Sequence, residues 1–257
     1  MKDNSNSLFI VFEGMDLSGK TTQAKMLQQW FIQEKKQKSI FTQEPTEKGL
    51  LGRILRMSLQ GMLRTITDEN DLLSEEIVRA KLFALDRFIH LKNEIEPSLN
   101  DGCHVISDRY YLSSLAYQSV ELLNLGYSLM PAMERVKQLN SDALYASTQP
   151  DIIILIDITV QAWRQRKSLR ITENGGQITE IYEEEKKLYK IRDQYHRAIE
   201  FLSTDEKLRN IRIEIIKYED GFTNRILVHK EVVRLVKGCI PQKTNVAELP
   251  LFGNADD

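Results

Sequence analysis

The sequence predicts an α/β fold, a five-stranded parallel sheet covered by helices on both faces. Three observations carry this. Strand-like and helix-like stretches alternate along nearly the whole chain, the pattern of parallel strands joined by helical crossovers. The most apolar run, Ile152-Ile153-Ile154-Leu155-Ile156, is continuous rather than alternating, as a strand buried on both faces should be. A first apolar strand at Leu8 to Phe12 runs through a glycine-rich turn directly into a helical pattern.

That first helix spans Thr22 to Glu34, with Ala24, Leu27, Phe31 and Ile32 at helical spacing. Ser39 to Gln43 is a short second strand, stopped by Glu44-Pro45. Leu51, Ile54, Leu55 and Leu59 mark a helix from Leu50 to Leu63, broken at Gly61. Asp71 to Leu99 carries one long amphipathic pattern, and the turn Asn100-Asp101-Gly102 leads into a third strand, Cys103 to Ser107. Helical patterns fill Ser113 to Leu123 and Pro131 to Tyr145 before the fourth strand. Val160 to Leu169 is a basic helix leading to an expected mobile loop at Thr172-Glu173-Asn174-Gly175-Gly176. A charged helix from Ile181 to Leu202, a fifth strand from Ile211 to Ile216 and a closing helix from Thr223 to Val236 complete the order. One domain, 8–236, is expected, between a disordered start at 1–7 and an aperiodic tail at 237–257.

Composition narrows the function. A net charge of −2 over 257 residues provides no general basic face, so nucleic acid is not expected as a partner. Cys103 and Cys239 lie far apart without CxxC spacing, which suits a reducing cytosol rather than a disulfide framework. No apolar run approaches the roughly eighteen residues that span a bilayer, and the polar start Met1 to Ser7 lacks a signal peptide's apolar segment. A cytoplasmic protein with no membrane partner is the expectation. The histidines, His90, His104, His196 and His229, show no metal-ligand spacing.

Gly14-Met15-Asp16-Leu17-Ser18-Gly19-Lys20-Thr21-Thr22 completes the phosphate-binding loop pattern GxxxxGKT. Average composition produces that pattern by chance in roughly one per cent of chains this long. Its glycines let successive N–H groups turn toward one anion, and the helix that follows directs its positive dipole end there. Lys20 would reach the β- and γ-phosphates of ATP, and the Thr21 hydroxyl would ligate Mg²⁺. Asp108, at the end of the third strand, stands where a second Mg²⁺ or Mg²⁺–water ligand belongs, and Arg109 beside it is a fork suited to phosphate. Asp16 puts a negative charge beside phosphates. Two readings stay open for it, a hydrogen bond to a substrate hydroxyl or Mg²⁺-bound water, and an Asx-turn stabilising the loop. Arg164, Arg166, Lys167 and Arg170 crowd seven residues before the Gly-Gly pair. They suit a lid, at about 164–180, closing on a transferring phosphate.

Several separate motifs together resemble the thymidylate kinase family over about residues 8–236. Phe12-Glu13-Gly14-Met15-Asp16-Leu17-Ser18-Gly19-Lys20-Thr21-Thr22-Gln23 is close to that family's phosphate loop. Glu44-Pro45-Thr46, with Gly52 seven residues past the proline, resembles its second loop, and Leu82-Phe83-Ala84-Leu85-Asp86-Arg87 its base-contacting segment. Asp108-Arg109-Tyr110-Tyr111-Leu112-Ser113-Ser114-Leu115-Ala116-Tyr117-Gln118 is similar to the family signature, and Leu139-Asn140 and Pro150-Asp151 also fit. The resemblance implies a P-loop kinase fold of three layers with a mobile lid, and a homodimer. It implies that Phe83 stacks on thymine, Arg87 contacts the base edge and Arg109 holds the dTMP phosphate. Ser114 would contact the base, while Tyr117 packs on the deoxyribose and disfavours a 2′-hydroxyl. Glu44 would organise substrate or magnesium waters. Two departures stand out. Leu17 occupies a position where some members carry Arg, which shifts transition-state charge to Arg166 and Arg170, and Gln43 precedes Glu44-Pro45 where bacterial members often have Arg, so Lys48 or Arg53 is the expected substitute.

The implied reaction is ATP-dependent phosphorylation of dTMP to dTDP with Mg²⁺. The rivals are a kinase for another nucleoside monophosphate or a deoxynucleoside, and, from a different class, a nucleotide-dependent regulatory switch. No Asn-Lys-x-Asp guanine reader is present to support a GTPase.

Overall fold

The computed structural model describes residues 7–174, 185–218 and 224–240. Five strands, β1 (Phe9–Glu13), β2 (Ser39–Gln43), β3 (His104–Asp108), β4 (Ile152–Ile158) and β5 (Ile213–Tyr218), form one sheet in the order β2-β3-β1-β4-β5. Every neighbouring pair is parallel. All residues of β1, β3 and β4 are buried, which is why β1 and β4 open on continuous apolar runs. The edge strands β2 and β5 are only partly covered and mix polar residues into their patterns.

The helices are α1 (Lys20–Gln33), α2 (Leu50–Leu59), α3 (Leu72–His90), α4 (Glu96–Asn100), α5 (Tyr111–Asn124), α6 (Leu129–Leu139), α7 (Ser141–Leu144), α8 (Val160–Asn174), α9 (Glu185–Ser203) and α10 (Arg225–Lys237). α1 packs on β1, β2 and β3 and against α10; α5 is surrounded by α3, α6 and α9. Every α5 residue from Tyr111 to Leu122 is buried, so this helix is the centre of its layer rather than an amphipathic cover. β1 lies between β3 and β4, and its carboxyl end opens into the crevice where parallel sheets of this kind bind ligands.

Four sequence expectations change. The long pattern from 71 to 99 contains a π-helical turn, Leu91–Ile95, in which the Glu96 N–H reaches back to the Leu91 carbonyl. Pro97 follows at once, and its missing N–H cannot keep the α ladder. The helix expected from Pro131 to Tyr145 is split at Asn140, whose amide donates to the Val136 carbonyl at 2.8 Å. Thr172, Glu173 and Asn174 belong to α8 rather than to a loop, and the rest of that expected loop, Gly175 and Gly176, lies outside the described residues. Ser7 is tied down, its hydroxyl donating to the Leu99 carbonyl at 2.9 Å, so the expected loose start does not include it. Residues 1–6 and 241–257, the Arg170 side chain and the remainder of the expected lid lie outside the described residues.

Candidate active site

The glycine loop joins β1 to α1. Gly14 has φ +137, and a Cβ there would sit 2.4 Å from the Ile156 carbonyl of β4. Only glycine lets the loop turn while touching the next strand. The Lys20 ammonium donates to the Met15 carbonyl at 2.8 Å. Burial, and Arg109 second, push it down to about 8. The Thr21 hydroxyl donates to Oδ2 of Asp108, which leaves Asp108 Oδ1 buried with no hydrogen-bond partner. A hydroxyl and a free carboxylate oxygen side by side fit Mg²⁺, a hard cation that takes its other ligands from phosphates and water. From α8, Arg166 donates to the Leu17 and Ser18 carbonyls at 3.0 and 2.7 Å. It stacks over the Tyr218 ring, 5.6 Å from its centroid.

Across the crevice, Arg109 follows β3 with φ +78, in the left-handed region although it carries a Cβ. Its guanidinium donates to Asp16 Oδ1, to the Tyr117 hydroxyl at 3.2 Å, to Ser113 Oγ at 2.9 Å and to the Tyr195 hydroxyl at 3.2 Å, and stacks on Tyr117 at 4.9 Å. Asp16 is therefore paired with Arg109, and its second oxygen accepts from the Tyr117 hydroxyl at 3.3 Å. Burial alone would raise this carboxyl, but Arg109 and Lys20 outweigh that and hold it below the usual range. Glu13, at the end of β1, is pushed up to about 7 by burial, against the hydrogen bond from Ser113 and the charge of Arg109.

A second guanidinium, Arg87 of α3, is 1 % exposed. Its Nε donates to Glu44 at 2.7 Å, and its Nη1 to Ser114 at 2.9 Å and to Asn140 Oδ1. Three chain segments thus converge on one side chain, and the Asn140 that splits the helix is one of its holders. His90 lies behind Glu44, with Nδ1 at 3.1 Å from Glu44 and Nε2 at 2.7 Å from Thr42, whose hydroxyl donates to Glu94 at 3.0 Å. Burial would lower this imidazole, but bonds to Glu44 and Glu94 carry it up to about 9. Asp86 closes the second loop by accepting from the Thr46 N–H at 2.8 Å and hydroxyl at 2.6 Å. Gly52 is needed where α2 crosses this loop, since a Cβ would meet the Thr46 carbonyl at 1.8 Å.

Lys20, Thr21, Asp108 and Arg109 face Glu44 and Arg87 across one cleft of about 780 Å³. Of the residues singled out in the sequence, it is lined by Asp16 through Thr22, Glu44, Phe83, Arg87, Asp108, Arg109, Ser114, Tyr117 and Arg166. Gly14 and Met15 stand behind the loop rather than on the cleft wall, Met15 being 2 % exposed. The expected substitute cation is corrected: Lys48 and Arg53 are exposed and off the cleft, whereas Arg56 of α2 lines it and donates to the Pro45 carbonyl. The 3.6-residue period of α2 carries the signal for Arg56, one turn beyond Gly52. Tyr195 was not legible, because nothing local shows that α9 reaches the glycine loop. His104 is a core group, accepting the Leu8 N–H at 3.0 Å and stacked on Phe31 at 4.0 Å.

A strand-to-helix glycine loop ending in Lys20 and Thr21, facing a second guanidinium-lined pocket in the same cleft, is the arrangement of a P-loop phosphotransferase. Residues 12–213 match the family model described as thymidylate kinase, and the chain belongs to that family. It is 35 % identical over 223 residues to a probable thymidylate kinase of Pyrococcus horikoshii, with 82 % of this chain and 96 % of that protein covered. To the probable thymidylate kinase of Methanocaldococcus jannaschii it is 32 % identical over 219 residues, covering 83 % and 96 %. The crystal structure of thymidylate kinase from Ehrlichia chaffeensis superposes with a TM-score of 0.56 at 26 % identity, covering 90 % of this chain and 98 % of that one.

Proposed function

We propose that the chain transfers the γ-phosphoryl group of ATP in line to the 5′-phosphate of dTMP, giving dTDP for dTTP synthesis. The observation that carries this is Arg109. It stands at the junction of the glycine loop and the Phe83–Arg87 pocket, bonded to Asp16 and stacked on Tyr117. A monophosphate held there meets the end of a triphosphate held by Gly14 to Thr22.

Attacking and leaving oxygens both belong to phosphates, and a monoester is largely ionised near neutral pH. No strong base is needed, so positioning and charge neutralisation carry catalysis. Lys20 neutralises the donor phosphates, while Arg166 and Arg170 take the charge that an arginine at position 17 would otherwise meet. Thr21 and Asp108 would hold Mg²⁺, which supplies further positive charge to the phosphates when bound. Phe83 offers the face on which thymine stacks, Arg87 and Ser114 its polar edge, and Tyr117 fills the space a 2′-hydroxyl would need. Asp16 and Glu44 orient substrate through Arg109 and Arg87. We further expect a homodimer working in the cytoplasm, within a single domain at 8–236 whose lid spans 164–180.

A coupled ADP-release assay with dTMP, dUMP, dCMP, dGMP and thymidine tests the proposal. Turnover should be highest with dTMP; thymidine used in preference would select a nucleoside kinase, and slow hydrolysis indifferent to every acceptor would select a switch. Lys20→Ala and Arg109→Ala should each lower turnover by at least tens of fold, the loss of one charge-assisted contact of about 2–3 kcal/mol. Near-native kinetics would remove that residue from the mechanism.

A further inference from the structure

We propose that Glu13 is a positioning residue for the acceptor phosphate, holding the strained turn at Arg109 and the hydroxyls that aim its guanidinium. The inference rests on the role given to Arg109 above and deepens it.

A left-handed residue with a Cβ persists only where its surroundings over-determine it. Three hydrogen bonds do so here. The Arg109 N–H donates to the Phe12 carbonyl at 2.8 Å, the Ser107 hydroxyl donates to the Arg109 carbonyl at 2.8 Å, and the next N–H, that of Tyr110, donates to Glu13 Oε1 at 2.8 Å. The first bond is backbone to backbone, the second depends on the Ser107 side chain and the third on that of Glu13. Tyr110 is also the N-cap of α5 and has no side-chain cap of its own. Glu13 replaces it from the end of β1, accepting the Ser113 N–H as well, at 3.1 Å. Two backbone donors at the start of α5 are thereby met by a carboxyl oxygen on a different element.

The other carboxylate oxygen sets hydroxyl direction. Glu13 Oε2 accepts from the Ser113 hydroxyl and, at 3.3 Å, from that of Tyr195. Both oxygens in turn accept from Arg109 Nη1. The Ser113 hydroxyl, turned toward Glu13, presents lone pairs to the guanidinium, and that of Tyr195, which lies 3.3 Å from Glu13 and 3.1 Å from the Gly14 carbonyl and donates to one of them, does the same. An amide in place of the carboxylate donates where the acid accepts, so at least one hydroxyl hydrogen is displaced toward Arg109. Glu13 itself is 0 % exposed and off the cleft wall, so it touches no substrate and acts through Arg109. Lys20 is oriented separately, by the Met15 carbonyl.

Steady-state kinetics of the full chain and Glu13→Gln, with ATP and dTMP varied in turn, test this. The expected result is an acceptor KM raised about tenfold or more with the ATP KM changed less than about twofold, since only an acceptor contact is misaligned. A folded variant with native acceptor KM, or with both KM values raised alike, overturns the proposal. Should Glu13→Gln not fold, Tyr195→Phe decides: it removes one aimed hydroxyl and should raise the acceptor KM alone, by about threefold, and an unchanged KM overturns the proposal. If dTMP is inactive but another monophosphate is turned over, the base assignment fails and the same measurement is made with that monophosphate. If no monophosphate is turned over, both proposals fail.

Discussion

Arg87 shows what a single residue decides in this protein. A guanidinium that is 1 % exposed survives burial because Glu44 neutralises it and Ser114 and Asn140 occupy further donors. Arg87→Ala would leave Glu44, whose side chain is 3 % exposed, with His90 as its remaining cationic partner. Removing one partner of a buried pair costs about 3–5 kcal/mol. Urea denaturation should show a loss of that order, together with a raised acceptor KM. A loss below about 1 kcal/mol would mean that His90 alone compensates the Glu44 carboxylate. Asp16 carries a related lesson. Its carboxylate sits in an anion-binding loop only because Arg109 and Lys20 surround it. Of the two readings open from the sequence, the Asx-turn gives way to bonds with Arg109 and Tyr117 across the cleft, while the hydrogen bond to a substrate hydroxyl or Mg²⁺-bound water belongs to the proposed function.

At the scale of elements, β2 and α3 are stitched by a chain running from Glu44 through His90 and Thr42 to Glu94. Both ring nitrogens of His90 face acceptors, so the imidazolium is the form that satisfies them. Its affinity for a proton is raised from the ordinary 6.5 to about 9 in the fold. The folded state therefore binds the proton more tightly, and this contribution is fully present below pH 6.5 and lost as pH rises through about 9. Thermal stability should decline across that window and the decline should shrink in His90→Gln; an identical pH profile in the variant would refute the link. The crossing of α2 over the second loop is similarly exacting. Gly52→Ala must push the Thr46 backbone aside, which should cost about 1–3 kcal/mol and raise the acceptor KM through Arg56 and Glu44. Melting curves and kinetics together would check this.

For the molecule as a whole, the buried centre of the sheet holds the cleft walls apart and in register. Ile154 is 0 % exposed on β4, and Ile154→Ala should cost about 2–5 kcal/mol, as cavity-forming changes do. Both KM values should stay native in the fraction that remains folded, because β4 carries no cleft-lining side chain. A selective change in one KM would show that core and site are coupled.

The sequence by itself determined the sheet, the strand order in the chain, the glycine loop and the residue types around it. Burial on two faces demands continuous apolar runs, and a backbone anion nest demands glycines at set spacing, so both are written locally. Edge positions were less legible: β5 begins at Ile213 rather than Ile211, because pairing with β4, not local composition, sets its register. Only the tertiary structure decided the partners. That Asn140 and Glu44 grip Arg87, that Arg56 rather than Lys48 or Arg53 faces the cleft, and that Tyr195 and Glu13 gather around the Arg109 turn, depends on contacts such as those between residues 43 to 97 positions apart. Hydrogen bonds and ion pairs act over a few ångströms, and no period in the chain records which distant side chains the packing of helices on a sheet will bring within that reach.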